Sequence, residues 1–409
     1  SNFNCADLPG GIPWTSDRIG RGQYTEAERN FLFFEENNTT TYEHAYVEAV
    51  VSTNNLFSLP AGDVGAAFGA QYRREEIDDT PGEQAVLRNV ALYTTSGPTR
   101  GSDTIAEAFA ELSIPLLAGL PFVERLGLDV SGRYSDYESY GESTTYKASL
   151  NWQIVPAFRL RANYGTSFRA PSLFEQFLGA QVGYSGQTID PCYDYTNSGT
   201  IDPEIFQACV ADGASTTLGG SSVAVSSTGG RGVVQAEEGK NFNLGFVFTP
   251  PNSGLQVALD YYDIQIENAV SQFGANEIIS RCYLGQTDYC DLYTRVRNPG
   301  SPDDGKLATV NNAYVNVNEI GNRGLDLQVS WSHETPWGRF RIDTQHNYKL
   351  EDTETLEGDV TDYLGLTYNY SGPRYAGNIY TSFTRGDWTA FYGIDIIGEG
   401  DDSRLYASG

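Results

Sequence analysis

Several residue types are scarce or missing in this sequence of 409 residues. It contains no methionine and only three histidines. It also has no run of about 18 apolar residues, which excludes a transmembrane helix. Residues 1–5 combine neither the basic start nor the apolar core of a secretory signal peptide. Because an open reading frame begins with methionine, we expect the sequence to be a processed or internal piece of a longer protein.

Basic residues are also scarce. The formal net charge is −27, and only four of the basic residues are lysines. Binding to nucleic acid needs clustered Lys and Arg, so the composition excludes it. The histidines His44, His333 and His346 are too few and too scattered for a metal site or a catalytic triad. We therefore expect no enzyme activity, no metal and no cofactor.

Two polar stretches could be ligand-binding sites, one for Ca²⁺ and one for phosphate, but ordinary loop structure explains both better. The carboxylates Asp190, Asp194, Asp202 and Glu204 could bind Ca²⁺ through oxygen, but their spacing is not that of an EF-hand. Solvated loop carboxylates are the favoured interpretation. Residues 213–232 are rich in Gly and Ser without the Gly-Lys-Ser/Thr of a phosphate-binding loop, which favours a flexible linker.

Four of the five cysteines form two pairs that are close in sequence, and Cys5 is left over. Cys192 with Cys209, and Cys282 with Cys290, each flank a polar loop, which predicts two local disulfides and an oxidising compartment. Free thiols or a metal site are the alternatives; metal is disfavoured because no Cys-x-x-Cys occurs and no histidine is near. We expect the partner of Cys5 in a segment outside this sequence.

Alternation of apolar and polar side chains at period 2 is the dominant pattern. In residues 158–164, for example, Phe158 and Leu160 alternate with Arg159 and Arg161. About twelve such segments occur, near the 10 residues of a bilayer-spanning strand, and short turns alternate with long loops. The pattern predicts an all-β protein, an antiparallel transmembrane β-barrel with long external loops. A soluble sandwich is the disfavoured alternative, since its strands are shorter.

One strand has a defect in this pattern. In residues 255–266 the alternation slips by one at Tyr262. The slip predicts a β-bulge, or the point where the strand leaves the membrane.

Four motifs resemble one known family. The sequence YGTSFRAPSL at residues 164–173 resembles the strand-to-loop signature of TonB-dependent outer-membrane receptors. LPAGDVGAAFGAQYRRE at 59–75 is similar to a mid-barrel hairpin of these receptors. LDYYDIQIENAV at 259–270 and NRGLDL at 322–327 are similar to strands near the end of such barrels. The order and spacing of the four motifs along the chain carry the resemblance.

The resemblance implies a barrel of about 22 strands with a plugged lumen, in the outer membrane of a Gram-negative bacterium. It also implies lipid, a plug domain and a TonB-type energy-coupling protein as partners. The function implied is energised uptake of a scarce solute such as a siderophore, cobalamin or saccharide. The alternative is a passive porin, or a structural or adhesive barrel.

The chain departs from the family pattern at both ends. No plug-like region precedes residue 42, and no aromatic residue closes the sequence. We therefore expect residues 1–41 to be an external loop region and residues 42–409 to be the strands and loops of a C-terminal-side barrel half.

The segment 168–238 is the longest predicted loop, and we expect it to close over the lumen and contact the solute. Tyr184, Tyr193 and Tyr195, with Phe206, would supply contact surface, and residues 213–232 would supply hinge freedom. Arg169 at its start shares the lumen-facing parity of Arg159 and Arg161. It would pair with a plug carboxylate or an anionic solute, or, as the favoured alternative, with a carboxylate on a neighbouring strand.

Overall fold

A computed structural model describes residues 21–26, 29–30, 33–87, 89, 95–197, 201–356, 358–366 and 372–401. Cys5 and the last eight residues lie outside this part. Within it, no helix is long and apolar enough to cross a membrane.

The described residues form eighteen strands and four short α-helices. The strands are β1 (Thr39–Leu59), β2 (Gly62–Thr80), β3 (Thr95–Ser96), β4 (Thr99–Leu120), β5 (Val123–Tyr137), β6 (Gly141–Val155), β7 (Phe158–Arg169), β8 (Gln181–Ser185), β9 (Val223–Thr228), β10 (Glu237–Phe248), β11 (Leu255–Ser271), β12 (Tyr293–Arg295), β13 (Leu307–Ala313), β14 (Val315–Thr335), β15 (Gly338–Leu356), β16 (Asp359–Asp362), β17 (Tyr375–Arg385) and β18 (Trp388–Ile397). The helices are α1 (Glu83–Val86), α2 (Leu173–Phe177), α3 (Pro203–Ala211) and α4 (Ala275–Tyr283).

Twelve strands pair consecutively in one antiparallel sheet, the main sheet. Its order is β1-β2-β4-β5-β6-β7-β10-β11-β14-β15-β17-β18, and β16 adds to β15. Among the described residues, β1 and β18 form its two edges. The prediction of about twelve antiparallel strands is confirmed.

The two ends of the main sheet differ in the length of their connections. Short turns join β1 to β2, β4 to β5, β6 to β7 and β14 to β15, all at one end. The two longest connections, between β7 and β10 and between β11 and β14, lie at the opposite end, which also has the short β5–β6 turn. The sheet therefore has a short-turn end and a long-loop end, as the alternation of turn lengths predicted.

The two faces of the main sheet differ in polarity, as period 2 requires. One face exposes large apolar side chains such as Phe68, Leu150 and Leu244. The other carries the rows that contain Arg161, Asp260 and Asn347, which face one another across successive strands. We call these the apolar face and the polar face.

The bulge predicted at Tyr262 is wrong. The register between β10 and β11 runs without a break from Glu238↔Glu267 to Phe248↔Val257. Against β14, the register shifts only beyond Ile266. Tyr262 therefore points to the polar face, where its hydroxyl accepts a hydrogen bond from Asn347 at 3.1 Å. The slip in the pattern reflects three apolar or aromatic side chains on the polar face, Tyr262, Ile264 and Ile266, and not an inserted residue.

Candidate functional site

The two long connections at the long-loop end fold together into one unit. Strands β8 and β9 from the first connection and β12 and β13 from the second form a sheet of order β12-β13-β9-β8-β3. One contact between the two connections is the parallel pairing of β9 with β13. We call residues 172–236 and 272–314, with β3, the cap.

The expectation that residues 213–232 form a flexible linker is wrong. They contain β9, which lies inside the cap sheet between β8 and β13. Gly229 and Gly230 donate backbone hydrogen bonds to Leu178 O and Glu175 O at 3.0 and 2.9 Å. A Cβ on Gly229 would lie 2.4 Å from Gln176 O, so glycine permits a close backbone approach there.

The cap has its own hydrophobic core and two disulfides. The core packs Val223 of β9 and Leu307 and Val310 of β13 against Ile278 and Ile279 of α4, all nearly inaccessible to solvent. The structure joins Cys192 to Cys209 and Cys282 to Cys290, the two pairs expected from their spacing. The cap is thus a folded body and not an irregular loop.

Arg169 lies at the end of β7 between two carboxylates. Its guanidinium donates to Glu175 of α2 at 2.9 and 3.0 Å and to Glu237 of β10 at 2.6 and 2.5 Å. Four of its five N–H groups are therefore used. One cation between two anions leaves a net negative charge, which repels an anionic solute. Arg169 therefore pairs with a carboxylate on a neighbouring strand, which was the favoured alternative for this residue. A second carboxylate, that of Glu175, comes from the cap.

The same contacts fix the start of the cap. Ser172 and Glu175 form a capping box that begins α2. Burial opposes the charge of Glu175, but hydrogen bonds from Arg169 and the Ser172 backbone outweigh it, so the pKa of this carboxyl is lowered. Glu237 also accepts a hydrogen bond from Val270 N at 2.8 Å. Arg169 thereby ties α2 to β10 and, through Glu237, to β11.

Helix α2 turns inward over the main sheet. It starts at the end of β7 but packs against β4, three strands away in the sheet order. A Cβ on Gly101 of β4 would lie 2.2 Å from the ring of Phe177, and Gly179 N donates to Thr99 Oγ1 at 3.0 Å. A short segment can span strands three positions apart only if the sheet curves and brings them closer together on one face. The face that carries Gly101, which is the polar face, is therefore the concave one.

The tyrosines expected to contact a solute lie in different environments. Tyr184 on β8 is 61% exposed, whereas Tyr195 is 6% exposed and packs against Phe206 with ring centroids 5.5 Å apart. Tyr193 is half-buried. Tyr195 belongs to the core of the cap and is almost inaccessible, and its expected contact with a solute stays a prediction. Tyr184 and Tyr193 keep accessible surface.

The concave face below the cap is lined by polar side chains. Arg161 forms a bidentate pair with Asp260 at 2.8 and 2.5 Å. Asn243 donates to Asn163 and Asn241, and Asn347 donates to Asp326. Part of this wall lines an open cavity of about 430 Å³. Such a wall suits water, a polar solute or a hydrated polypeptide.

The carboxylates considered for Ca²⁺ have other partners. Asp190 receives two hydrogen bonds from Arg295, and Asp202 caps α3 by accepting from Glu204 N at 2.7 Å. Asp194 accepts from Asn197 at 2.7 Å. In the part of the chain that the structure describes, no group of three or more His, Cys, Asp or Glu is placed to hold a metal.

Arg295 and Arg281 were not among the residues predicted to be functional. Both lie in the second connection and are almost fully buried, and they bind carboxylates that are distant in the chain. Asp190 and Arg295 are 105 positions apart. No local pattern predicts such a pair; the one signal was the preference of this chain for Arg over Lys.

Comparison with known proteins gives a family match along almost the whole chain. The model of the TonB-dependent receptor-like β-barrel matches residues 6–408. Among curated proteins, the vitamin B12 transporter BtuB of Vibrio cholerae is 40% identical over 50 residues, 12% of this chain and 8% of that protein. The heme/hemopexin utilization protein C of Haemophilus influenzae is 27% identical over 151 residues, 34% and 20% of the two chains.

Solved structures show the same fold. A ferric enterobactin receptor mutant of Pseudomonas aeruginosa, in complex with enterobactin, superposes with a TM-score of 0.56 at 16% identity, covering 88% of this chain and 42% of that one. The siderophore receptor PirA of Acinetobacter baumannii gives 0.51 at 11% identity, covering 89% and 44%. The chain therefore spans less than half the length of these solved proteins.

Proposed function

Because the chain belongs to the TonB-dependent receptor-like β-barrel family, we propose that it is the barrel part of a receptor. The receptor takes up a scarce solute in an energised process. The family is one of bacterial outer-membrane receptors and transporters, not of enzymes. In this proposal the apolar face contacts lipid of a Gram-negative outer membrane. Residues 42–409 contribute strands and loops, and the cap, within residues 168–238 and 272–314, is external.

One observation carries the proposal: a folded cap reaches inward over a polar, concave wall. A passive pore needs an open mouth, whereas α2 and the segment after it cross the concave face as far as β4. The cap presents accessible tyrosines, among them Tyr184, and aromatic side chains are common anchors for bound molecules. The wall below supplies amides and paired charges that suit a plug domain or a passing solute.

The charge of the wall bears on the type of solute. Arg161 and Arg169 are both neutralised by carboxylates. We therefore propose that recognition rests on the shape, hydroxyl groups and aromatic surface of the solute rather than on an anionic group held at Arg169. Siderophores, cobalamin and saccharides all remain within this class.

The decisive experiment uses the full-length receptor that contains this chain, in planar lipid bilayers. A plugged receptor shows no steady conductance, whereas a passive porin shows open channels at once. Cells that carry the receptor should accumulate labelled cobalamin or a labelled ferric siderophore only with a functional TonB-type protein. Steady conductance together with TonB-independent entry would overturn the proposal in favour of the porin.

A further inference from the structure

Arg295 is the most deeply buried cation of the cap. Its side chain is 1% exposed, and all five of its N–H groups are used. It donates to both oxygens of Asp190 at 2.6 and 2.9 Å and to Asp212 at 2.6 Å. The remaining two N–H groups bind Gly305 O at 3.0 Å and the Tyr283 hydroxyl at 2.5 Å.

These contacts join the two long connections of the cap. Asp190 and Asp212 belong to the first connection, whereas Arg295, Tyr283 and Gly305 belong to the second. Tyr283 closes the network by donating to Asp212 at 2.6 Å. Neither disulfide crosses between the connections, because each joins residues of one connection. The non-covalent contacts across this boundary are therefore what hold the cap together.

Arg281 makes a second joint, whose carboxylate partners are more exposed than those of Arg295. Its side chain is 3% exposed; it donates to Glu277 at 2.7 Å within α4 and to Asp359 at 3.1 Å at the start of β16. It also reaches Leu356 O at 3.3 Å. Arg281 thereby connects the second connection to the β15–β16 hairpin, a third external segment.

We infer that Arg295 and Arg281 are positioning residues that join three external segments into one body, so that solute is met by a single surface rather than by loops that move separately. Removing one partner from a buried, fully paired guanidinium leaves charges without compensation, which is far more costly than losing a surface pair. Opening one connection therefore requires opening the other. The role in solute binding rests on the proposed function; the joining itself does not.

The test is hydrogen exchange, followed by mass spectrometry, on the full-length receptor in detergent without solute. Arg295→Leu should raise exchange on the order of tenfold or more in β8 and β9 of the first connection as well as in β13 of the second. The matched control is Arg297→Leu, since Arg297 binds the same Asp212 at 2.8 Å but is half exposed. The control should leave both connections protected.

Two further measurements keep the test decisive. Strands β10 and β11 serve as the internal reference, so general misfolding is visible as lost protection there. If Arg295→Leu misfolds, Arg295→Lys keeps the charge but has too few donors for the network, and it should raise exchange in both connections to a smaller extent. Increased exchange confined to the second connection in either variant would overturn the inference. Because no solute or energy source is used, the result is independent of the conductance test of function.

Discussion

At the residue scale, arginine organises the polar regions of this molecule. Most of its cations are arginines, whose guanidinium suits bidentate pairing with carboxylates. Arg161, Arg169 and Arg295 all pair in this way. Strand parity also predicted that Arg161 and Arg169 share a face. The partners were not predictable, because Asp260 and Glu237 lie 99 and 68 positions away. Those contacts depend on sheet order, which period-2 alternation does not specify.

Gly245 makes the Arg161–Asp260 pair possible. A Cβ on Gly245 would lie 2.0 Å from Asp260 Oδ1, so the carboxylate crosses β10 directly above this glycine. Gly245→Ala should displace Asp260 and lower the free energy of unfolding by about 1–3 kcal/mol, the range for overpacking, as measured by urea denaturation in detergent. Gly127→Ala is the control, since its Cβ would meet only Ile114 O at 3.9 Å. Equal stability of the two variants would show that the pair tolerates the methyl group.

The lowered pKa of Glu175 predicts a pH dependence of the cap. Its charged form stabilises the fold above the unfolded-state pKa of about 4.3, and this contribution is lost as pH falls through the lower folded-state value. Glu175→Gln should therefore cost about 1 kcal/mol near pH 7, because Arg169 is half exposed, and less near pH 2. Denaturation of both proteins at both pH values measures this difference.

The control for that prediction is Glu204→Gln, because Glu204 is an exposed first-turn carboxylate of α3. A difference between wild type and Glu175→Gln that stays constant with pH would contradict the role assigned to the ion pair with Arg169.

At the scale of elements, the sequence was informative about strands and uninformative about the cap. The long strands carry apolar and polar side chains in alternation, because one face is apolar and the other polar. The cap strands β8, β9 and β13 are five to seven residues long and lie in Gly- and Ser-rich surroundings. Such short strands are stabilised by tertiary pairing, and β9 pairs in parallel with β13, where Ala224 meets Thr309 and Thr228 meets Ala313. Local propensity therefore predicted a linker.

The position of β9 changes the expected effect of removing residues 213–232. On the linker interpretation their deletion leaves every strand intact, but the structure shows that it removes a central strand of the cap sheet. We now expect the main sheet to assemble and the cap to lose its fold. Heat-modifiable migration on a denaturing gel reports the barrel, and trypsin sensitivity within residues 172–236 and 272–314 reports the cap. An unchanged tryptic pattern would show that β9 is dispensable.

At the scale of the whole molecule, the cap and the main sheet are stabilised in different ways. The main sheet consists of continuous ladders of backbone hydrogen bonds between strands of up to 22 residues, and most of its exposed large apolar side chains lie on one face. The cap relies on a small core, two disulfides and the buried network of Arg295. Disulfides that close short loops contribute roughly 2–4 kcal/mol each, so a large part of the stability of the cap should depend on oxidation.

We therefore predict that reduction separates the unfolding of the two parts. In detergent with a reductant, increasing urea should first expose the amides of β8, β9 and β13 to hydrogen exchange, while β10 and β11 stay protected. Without reductant, the transition of the cap should shift to higher urea and that of the strands should not move, because their ladders contain no cysteine. Mapping of the oxidised protein should recover Cys192 with Cys209 and Cys282 with Cys290. If both parts unfold in a single transition at the same urea concentration with and without reductant, the cap is stabilised by the main sheet and not by its own core.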